Sequence, residues 1–163
     1  SAEGRFQIFK TNNEIVFVVD YAHTDDALKN VISTINSIRN KDQKLITVFG
    51  CGGDRDKLKR PLMTKAACEL SSQVILTSDN PRSEDVDEII TDMLFEIDQE
   101  NLAKAIVIND RKQAIKTALT LAKRGDVVLV AGKGHEKFQE INGVKLPFDD
   151  KKEILKLINL NIN

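Results

Sequence analysis

The sequence has little of what marks several protein classes. Its 163 residues contain only two cysteines, Cys51 and Cys68, at no metal-type spacing, which excludes a disulfide-stapled secreted framework or a zinc module. Charge is balanced, 24 basic against 25 acidic residues for a net charge of -1, so no global field points to nucleic acid or to a membrane surface. No apolar run reaches membrane-spanning length and no signal-peptide core stands at the N-terminus, so a cytoplasmic location with no membrane partner is expected. Neither G-x-x-x-x-G-K-[ST] nor G-x-G-x-x-G occurs anywhere in the chain. A complete phosphate-binding loop is thereby excluded, and a nicotinamide-dependent oxidoreductase is disfavoured.

What is present is ordinary globular material, 41% hydrophobic and 30% charged, in a length suited to one domain, residues 1–163. Consecutive apolar runs at Ile15–Val19, Leu45–Phe49, Val74–Thr77, Ala105–Ile108 and Asp126–Val130 read as strands, most of them buried on both faces. Segments of helical spacing separate them. One carries Leu28, Val31, Ile32, Ile35 and Ile38 after a Thr24 or Asp25 cap; another begins near Arg60-Pro61, where Pro61 suits a first helical position. The acidic stretch from Glu84 to Glu100 is expected to be a helix that turns Val86, Ile89, Ile90, Met93, Leu94 and Ile97 inward, and Asp110 is expected to start the next. Residues 6–19 and 138–146 read as hairpins, the second closed by Asn142-Gly143. A last helix is expected from about Asp149 to Leu160. The alternation predicts an α/β, doubly wound, mostly parallel sheet, Rossmann-like, with antiparallel hairpins at its edges.

Right-handed crossovers place every strand-to-helix loop of such a sheet on one rim. The polar clusters at 20–26, 50–56, 79–82 and 132–136 all follow strands, and so converge there. Asp79-Asn80-Pro81-Arg82 in isolation is a polar turn. On a shared rim it becomes a fork-shaped cation, an amide and a carboxylate facing a ligand with both carboxylate and ammonium groups. Glu136 could receive an ammonium or be an exposed acid. His23 and His135 could orient a phosphate, stack on a ring or simply cap and pack. Arg55, between Asp54 and Asp56, reads equally as a surface pair, Lys57, Lys59 and Arg60 as a solvated face, and Cys51 as packing.

Asp20-Tyr21-Ala22-His23-Thr24, Val48 through Asp56, Lys59 through Met63, Ser78 through Arg82 and Gly132 through Glu136 together resemble the C-terminal domain of the Mur ligases of peptidoglycan synthesis, closest to the diaminopimelate-adding branch. The resemblance implies an ATP-dependent amide-bond-forming ligase that works through an acyl phosphate on a UDP-N-acetylmuramoyl dipeptide. It implies that ATP and Mg2+ are bound mainly by domains outside this sequence, so no catalytic residue and no metal ligand is assigned here, and this domain alone should be inactive and monomeric. It further implies that Arg55, Asp79, Asn80, Arg82, Gly132 and Glu136 hold meso-diaminopimelate. Asp20, Tyr21 and His23 would face the ATP side of the closed cleft, with Arg60 a weaker candidate. Asp25 and Val86 stand where that family usually has proline. A freestanding amino-acid-binding module without catalysis is the alternative.

Overall fold

The computed structural model describes residues 2–160. Its elements run β1 (Gln7–Lys10), β2 (Val16–Asp20), α1 (Asp25–Ile38), β3 (Leu45–Phe49), α2 (Lys59–Leu70), β4 (Gln73–Leu76), α3 (Val86–Met93), α4 (Gln99–Leu102), β5 (Ala105–Val107), α5 (Arg111–Leu121), β6 (Val127–Ala131), β7 (Phe138–Ile141), β8 (Val144–Pro147) and α6 (Asp150–Leu160). Six strands form one sheet in the order β1-β2-β6-β3-β4-β5, parallel except for the edge strand β1.

The period-two geometry of strands sorts their apolar residues onto two faces. Val18, Phe49, Leu76 and Leu129 pack with Leu28, Ile32, Met63, Ala67 and Met93 of α1, α2 and α3. Phe17, Val48, Ile75 and Val128 pack with Ala114, Ile115 and Ala118 of α5 and Ile154 of α6 on the other. Helices on both faces are why the central strands are apolar at consecutive positions. Thr47, the polar residue buried within β3, has its hydroxyl 2.8 Å from that of Ser71. No helix among the described residues is long and apolar enough to cross a membrane.

Several expectations are corrected. Ile38 ends α1 on the solvent side, 69% exposed, because the stripe closes at Ile35. Pro61 is the third residue of α2 and not the first; a missing N–H costs nothing anywhere in the first turn. The acidic helix breaks after Met93: Glu96 takes a φ of 55°, Phe95 turns outward, and Asp98 caps a separate short α4 through the Asn101 N–H. Leu94 and Ile97 are accordingly half-buried. The hairpin β7–β8 is a ribbon of its own, set against the rim by a parallel bridge between Arg82 and Ile141 and by hydrogen bonds from Gln139 and Glu140.

Because β6 is threaded between β2 and β3, the loops after β2, β6, β3 and β4 emerge side by side.

Candidate functional site

Those four loops enclose a cleft of about 550 Å³, lined among others by Tyr21, His23, Gly52, Arg55, Asp79, Asn80, Arg82, Gly132 and Glu136. The glycine-rich loop after β3 lies directly against the loop after β4. A Cβ on Gly50 would stand 2.2 Å from the Thr77 carbonyl oxygen, and one on Gly53 1.8 Å from that of Pro81. The Gly53 N–H donates to the Asn80 carbonyl at 2.8 Å. Gly52 leaves room for Arg82, whose Nη1 would be 2.8 Å from a Cβ there.

From the opposite side, β7 grips the same tetrapeptide. The Gln139 amide donates to the Asp79 carbonyl at 2.8 Å and to the Ser78 hydroxyl at 3.1 Å. The Glu140 N–H donates to Asn80 Oδ1 at 3.0 Å, and the Arg82 N–H to the Glu140 carbonyl at 2.8 Å. Arg82 itself takes a φ of 53°, a left-handed conformation that a non-glycine residue holds only when its surroundings impose it. Its Nη1 donates to the Gly53 carbonyl at 2.9 Å, and its Nε lies 3.4 Å from Glu140 Oε2. The fork is thus fixed at the cleft wall, with its base anchored.

At the centre is a residue sequence reasoning passed over. Lys133 is fully buried, and its ammonium reaches Asp79, Asn80 and Glu136 at once. A lysine between two glycines at the end of the most buried strand was the available signal, since lysine is almost never fully buried unpaired. Gln139 and Glu140 carried no signal at all.

Of the residues expected to hold an amino acid, the cleft brings all six together: Arg55, Asp79, Asn80, Arg82, Gly132 and Glu136 line it. Asp79 and Asn80 are buried, whereas Arg55 is exposed at the mouth and donates to the Asp54 carbonyl. Gly132, at a φ of 110°, sits so close that its Cβ would lie 3.3 Å from Asp79 Oδ2.

The ATP-side expectations divide. Tyr21 and His23 line the cleft, with ring centroids 4.7 Å apart. Asp20 is spent inside the domain, accepting from the Ala22 N–H at 2.8 Å and the Phe6 N–H at 3.0 Å. Arg60 also lines the cleft but is no part of a solvated face: it is 1% exposed, and its guanidinium donates to Glu84 at 2.6 and 3.1 Å, Asp92 at 2.9 Å and the Gly52 carbonyl at 3.0 Å. This fork holds the Glu84 carboxyl down at about 2, helped by the Asp54 N–H and opposed by burial. Burial pushes the Cys51 thiol up to about 12, Asp79 adding to the effect and Arg60 opposing it, which leaves it a poor nucleophile.

The cleft therefore offers donors (the Asn80 amide, the Arg82 and Arg55 forks) beside acceptors (Asp79, Glu136). That is the complement of a molecule carrying both a carboxylate and an ammonium. No cluster of three or more His, Cys, Asp or Glu side chains suited to a metal ion occurs among the described residues.

A doubly wound sheet with a polar cleft outside the carboxyl ends of its strands defines a ligand-binding α/β domain of the kind found in nucleotide- and amino-acid-handling enzymes. Comparison with known proteins narrows the class. The family model described as Mur ligase, glutamate ligase domain, matches residues 4–134, and the chain belongs to that family. It is 53% identical over 156 residues to the UDP-N-acetylmuramoyl-L-alanyl-D-glutamate--2,6-diaminopimelate ligase of Bacteroides thetaiotaomicron, covering 96% of this chain and 32% of that protein. The ligase of the same name from Aquifex aeolicus is 48% identical, over 95% of this chain and 31% of its own length. A solved structure of such a ligase superposes with a TM-score of 0.91 at 47% identity, over all of this chain and 33% of that one. The folylpolyglutamate synthase of Thermotoga maritima, at a TM-score of 0.60 and 20% identity, shares the fold. The chain spans about a third of the length of the relatives it matches.

Proposed function

We propose that this chain is the amino-acid-delivering domain of an ATP-dependent ligase that adds meso-diaminopimelate to UDP-N-acetylmuramoyl-L-alanyl-D-glutamate in peptidoglycan synthesis, in the cytoplasm. The observation that carries the reading is the gathering of Asn80, Arg82, Gly132 and Glu136 on one cleft, in a chain about half identical to enzymes named for that reaction. In this reading Arg82 receives the carboxylate at the far end of the amino acid, while the Gly132 carbonyl and Glu136 accept from the ammonium beside it. Anchoring that end directs the other amine towards an acyl phosphate held by the remainder of the enzyme, which also supplies the ATP and Mg2+ sites. Tyr21 and His23 border the nucleotide side.

Lysine lacks the far carboxylate and would leave the part of the Arg82 fork not engaged by Glu140 and Gly53 without an acceptor. Sites built around a specific polar partner reject analogues lacking it far more strongly than apolar pockets do. In the complete ligase, Arg82→Ala should lower kcat/KM for diaminopimelate by roughly a hundredfold or more while leaving ATP binding intact. Unchanged diaminopimelate addition in that variant would overturn the assignment.

A further inference from the structure

Lys133 Nζ lies 3.3 Å from Asp79 Oδ1, 2.9 Å from Asn80 Oδ1 and 3.2 Å from Glu136 Oε1, and the side chain is wholly shielded from solvent. An ammonium has three protons to donate, and here each meets an oxygen. None is left over for a ligand, so Lys133 acts through its neighbours.

Building on the diaminopimelate reading, we propose that Lys133 is a positioning residue that sets the ligand charge this cleft accepts. It cancels one of two clustered carboxylates and leaves the other for a single ligand ammonium.

Charge makes the first argument. Asp79 and Glu136 come from different loops and meet at one ammonium. Two carboxylates and one ammonium leave one negative charge. That remaining charge matches a single ligand ammonium, while Arg82, engaged by Glu140 through Nε, adds no net charge beside it. Like charges brought together without a partner cost several kcal/mol, so an uncancelled acid pair would demand surplus positive charge from its ligand.

Orientation makes the second. Lys133 Nζ and the Glu140 N–H both donate to Asn80 Oδ1, at 2.9 and 3.0 Å. The amide is thereby locked with Nδ2 on its other side, 3.3 Å from Glu136 Oε1. Lys133 thus fixes which side of the Asn80 amide faces Glu136, the acid that the reading assigns to the ligand ammonium.

Lys133→Met keeps the length of the side chain and deletes its charge. The acid pair then carries two negative charges and favours a ligand with one more positive charge than diaminopimelate. Lysine is such a ligand. In the complete ligase, the ratio of kcat/KM for meso-diaminopimelate to that for L-lysine should fall at least about tenfold, mainly through KM. Lys133→Arg, which keeps the charge, should hold the ratio within about threefold of wild type even if both activities drop. A merely structural lysine would lower both substrates alike, so an unchanged ratio in Lys133→Met overturns the inference.

A measurement without substitution guards against misfolding of the variants. In the unmodified 163-residue chain, nitrogen-15 NMR should show a slowly exchanging Lys133 ammonium, coupled across hydrogen bonds to the Asp79 and Glu136 carboxylates. An ammonium exchanging rapidly with water overturns the positioning role. A wild-type ligase that uses neither amino acid overturns the functional reading and with it the selectivity claim, whereas a wild type active on diaminopimelate with an insensitive Lys133→Met sinks this inference alone.

Discussion

Arg111 and Asp150 meet in a wholly buried two-pronged pair, Nε to Oδ1 and Nη2 to Oδ2, each at 2.8 Å. The same guanidinium donates to the Ser78 carbonyl at 3.1 Å and to the Ala131 carbonyl at 3.0 Å, the residues just before Asp79 and Gly132. One fork therefore joins α5 and α6 to the ends of β4 and β6, directly behind the cleft. Removing one member of such a pair strands the other as a buried charge. Asp150→Asn should cost about 3–5 kcal/mol in urea unfolding. Arg111→Met combined with Asp150→Leu should cost less than Arg111→Met alone, because no charge is then left uncompensated. An Asp150→Asn protein within about 1 kcal/mol of wild type would contradict this account.

Arg60 and Glu84 form the corresponding clamp on the other side of the glycine-rich loop, with a pH dependence of definite sign. The Glu84 carboxyl drops from 4.5 to about 2 on folding, chiefly through its hydrogen bond with Arg60. A depressed carboxyl contributes stability that is fully present above its unfolded value. That contribution is lost as pH falls from about 4.5 towards 2. Solvent screening holds the loss to a fraction of the roughly 3 kcal/mol that such a shift corresponds to. Glu84→Gln should be less stable at pH 7, and the gap to wild type should narrow across that acid window. A gap constant from pH 7 to pH 2.5 would show that Glu84 contributes by packing alone.

The rim and the cleft were legible because β2, β3, β4 and β6 announce themselves as apolar runs and each ends in a polar cluster. Topology then needs no side-chain detail to bring those clusters together. What stayed hidden depends on contacts between distant parts of the chain. Arg60 stands between Lys59 and Pro61 in a basic stretch that suggests solvent, yet the first turn of α2 points it under the glycine loop towards Glu84 and Asp92. Lys133 looks like a loop lysine until Asp79, Asn80 and Glu136 are assembled around it. Glu96 breaks the acidic helix with a φ of 55° where neither glycine nor proline marks the place. Asp20 looks available until β1 brings the Phe6 N–H to its carboxylate.

Two glycines separate steric from conformational cost. Gly53 needs its missing side chain because the Pro81 carbonyl oxygen occupies the space, 1.8 Å from an ideal Cβ. Gly143, in the β7–β8 turn, has open space around it but a φ of 78°. Gly53→Ala must push the loop carrying Asn80 and Arg82 aside, so it should cost about 2–3 kcal/mol of stability and weaken amino-acid binding. Gly143→Ala should cost about 1 kcal/mol and leave binding alone. Calorimetric titration alongside urea unfolding distinguishes the two. Equal effects on binding would mean that the glycine loop does not hold the tetrapeptide in place.

Cys51 lines the cleft and so presents itself as a target for thiol reagents, but its surroundings argue otherwise. Its thiol is buried, with Sγ 3.7 Å from Met63 Sδ, and burial with Asp79 nearby raises it to about 12. Cys68, on the buried side of α2, is raised to about 11 by the same desolvation. Only the thiolate attacks, and at pH 8 a thiol at 12 is ionised at roughly one part in ten thousand. Iodoacetamide at pH 8 should therefore leave both cysteines unmodified in the folded protein by intact mass, and label both in urea. Because burial is the larger cause and Asp79 the smaller, Asp79→Asn should leave Cys51 unlabelled too. Because burial penalises the folded thiolates, stability should be undiminished by them below about pH 9, where the unfolded thiols begin to ionise, and should fall as pH climbs from there towards the folded values. Labelling of Cys51 in folded Asp79→Asn but not in folded wild type would reverse the ranking and make the carboxylate, not burial, the guard of the sulfur.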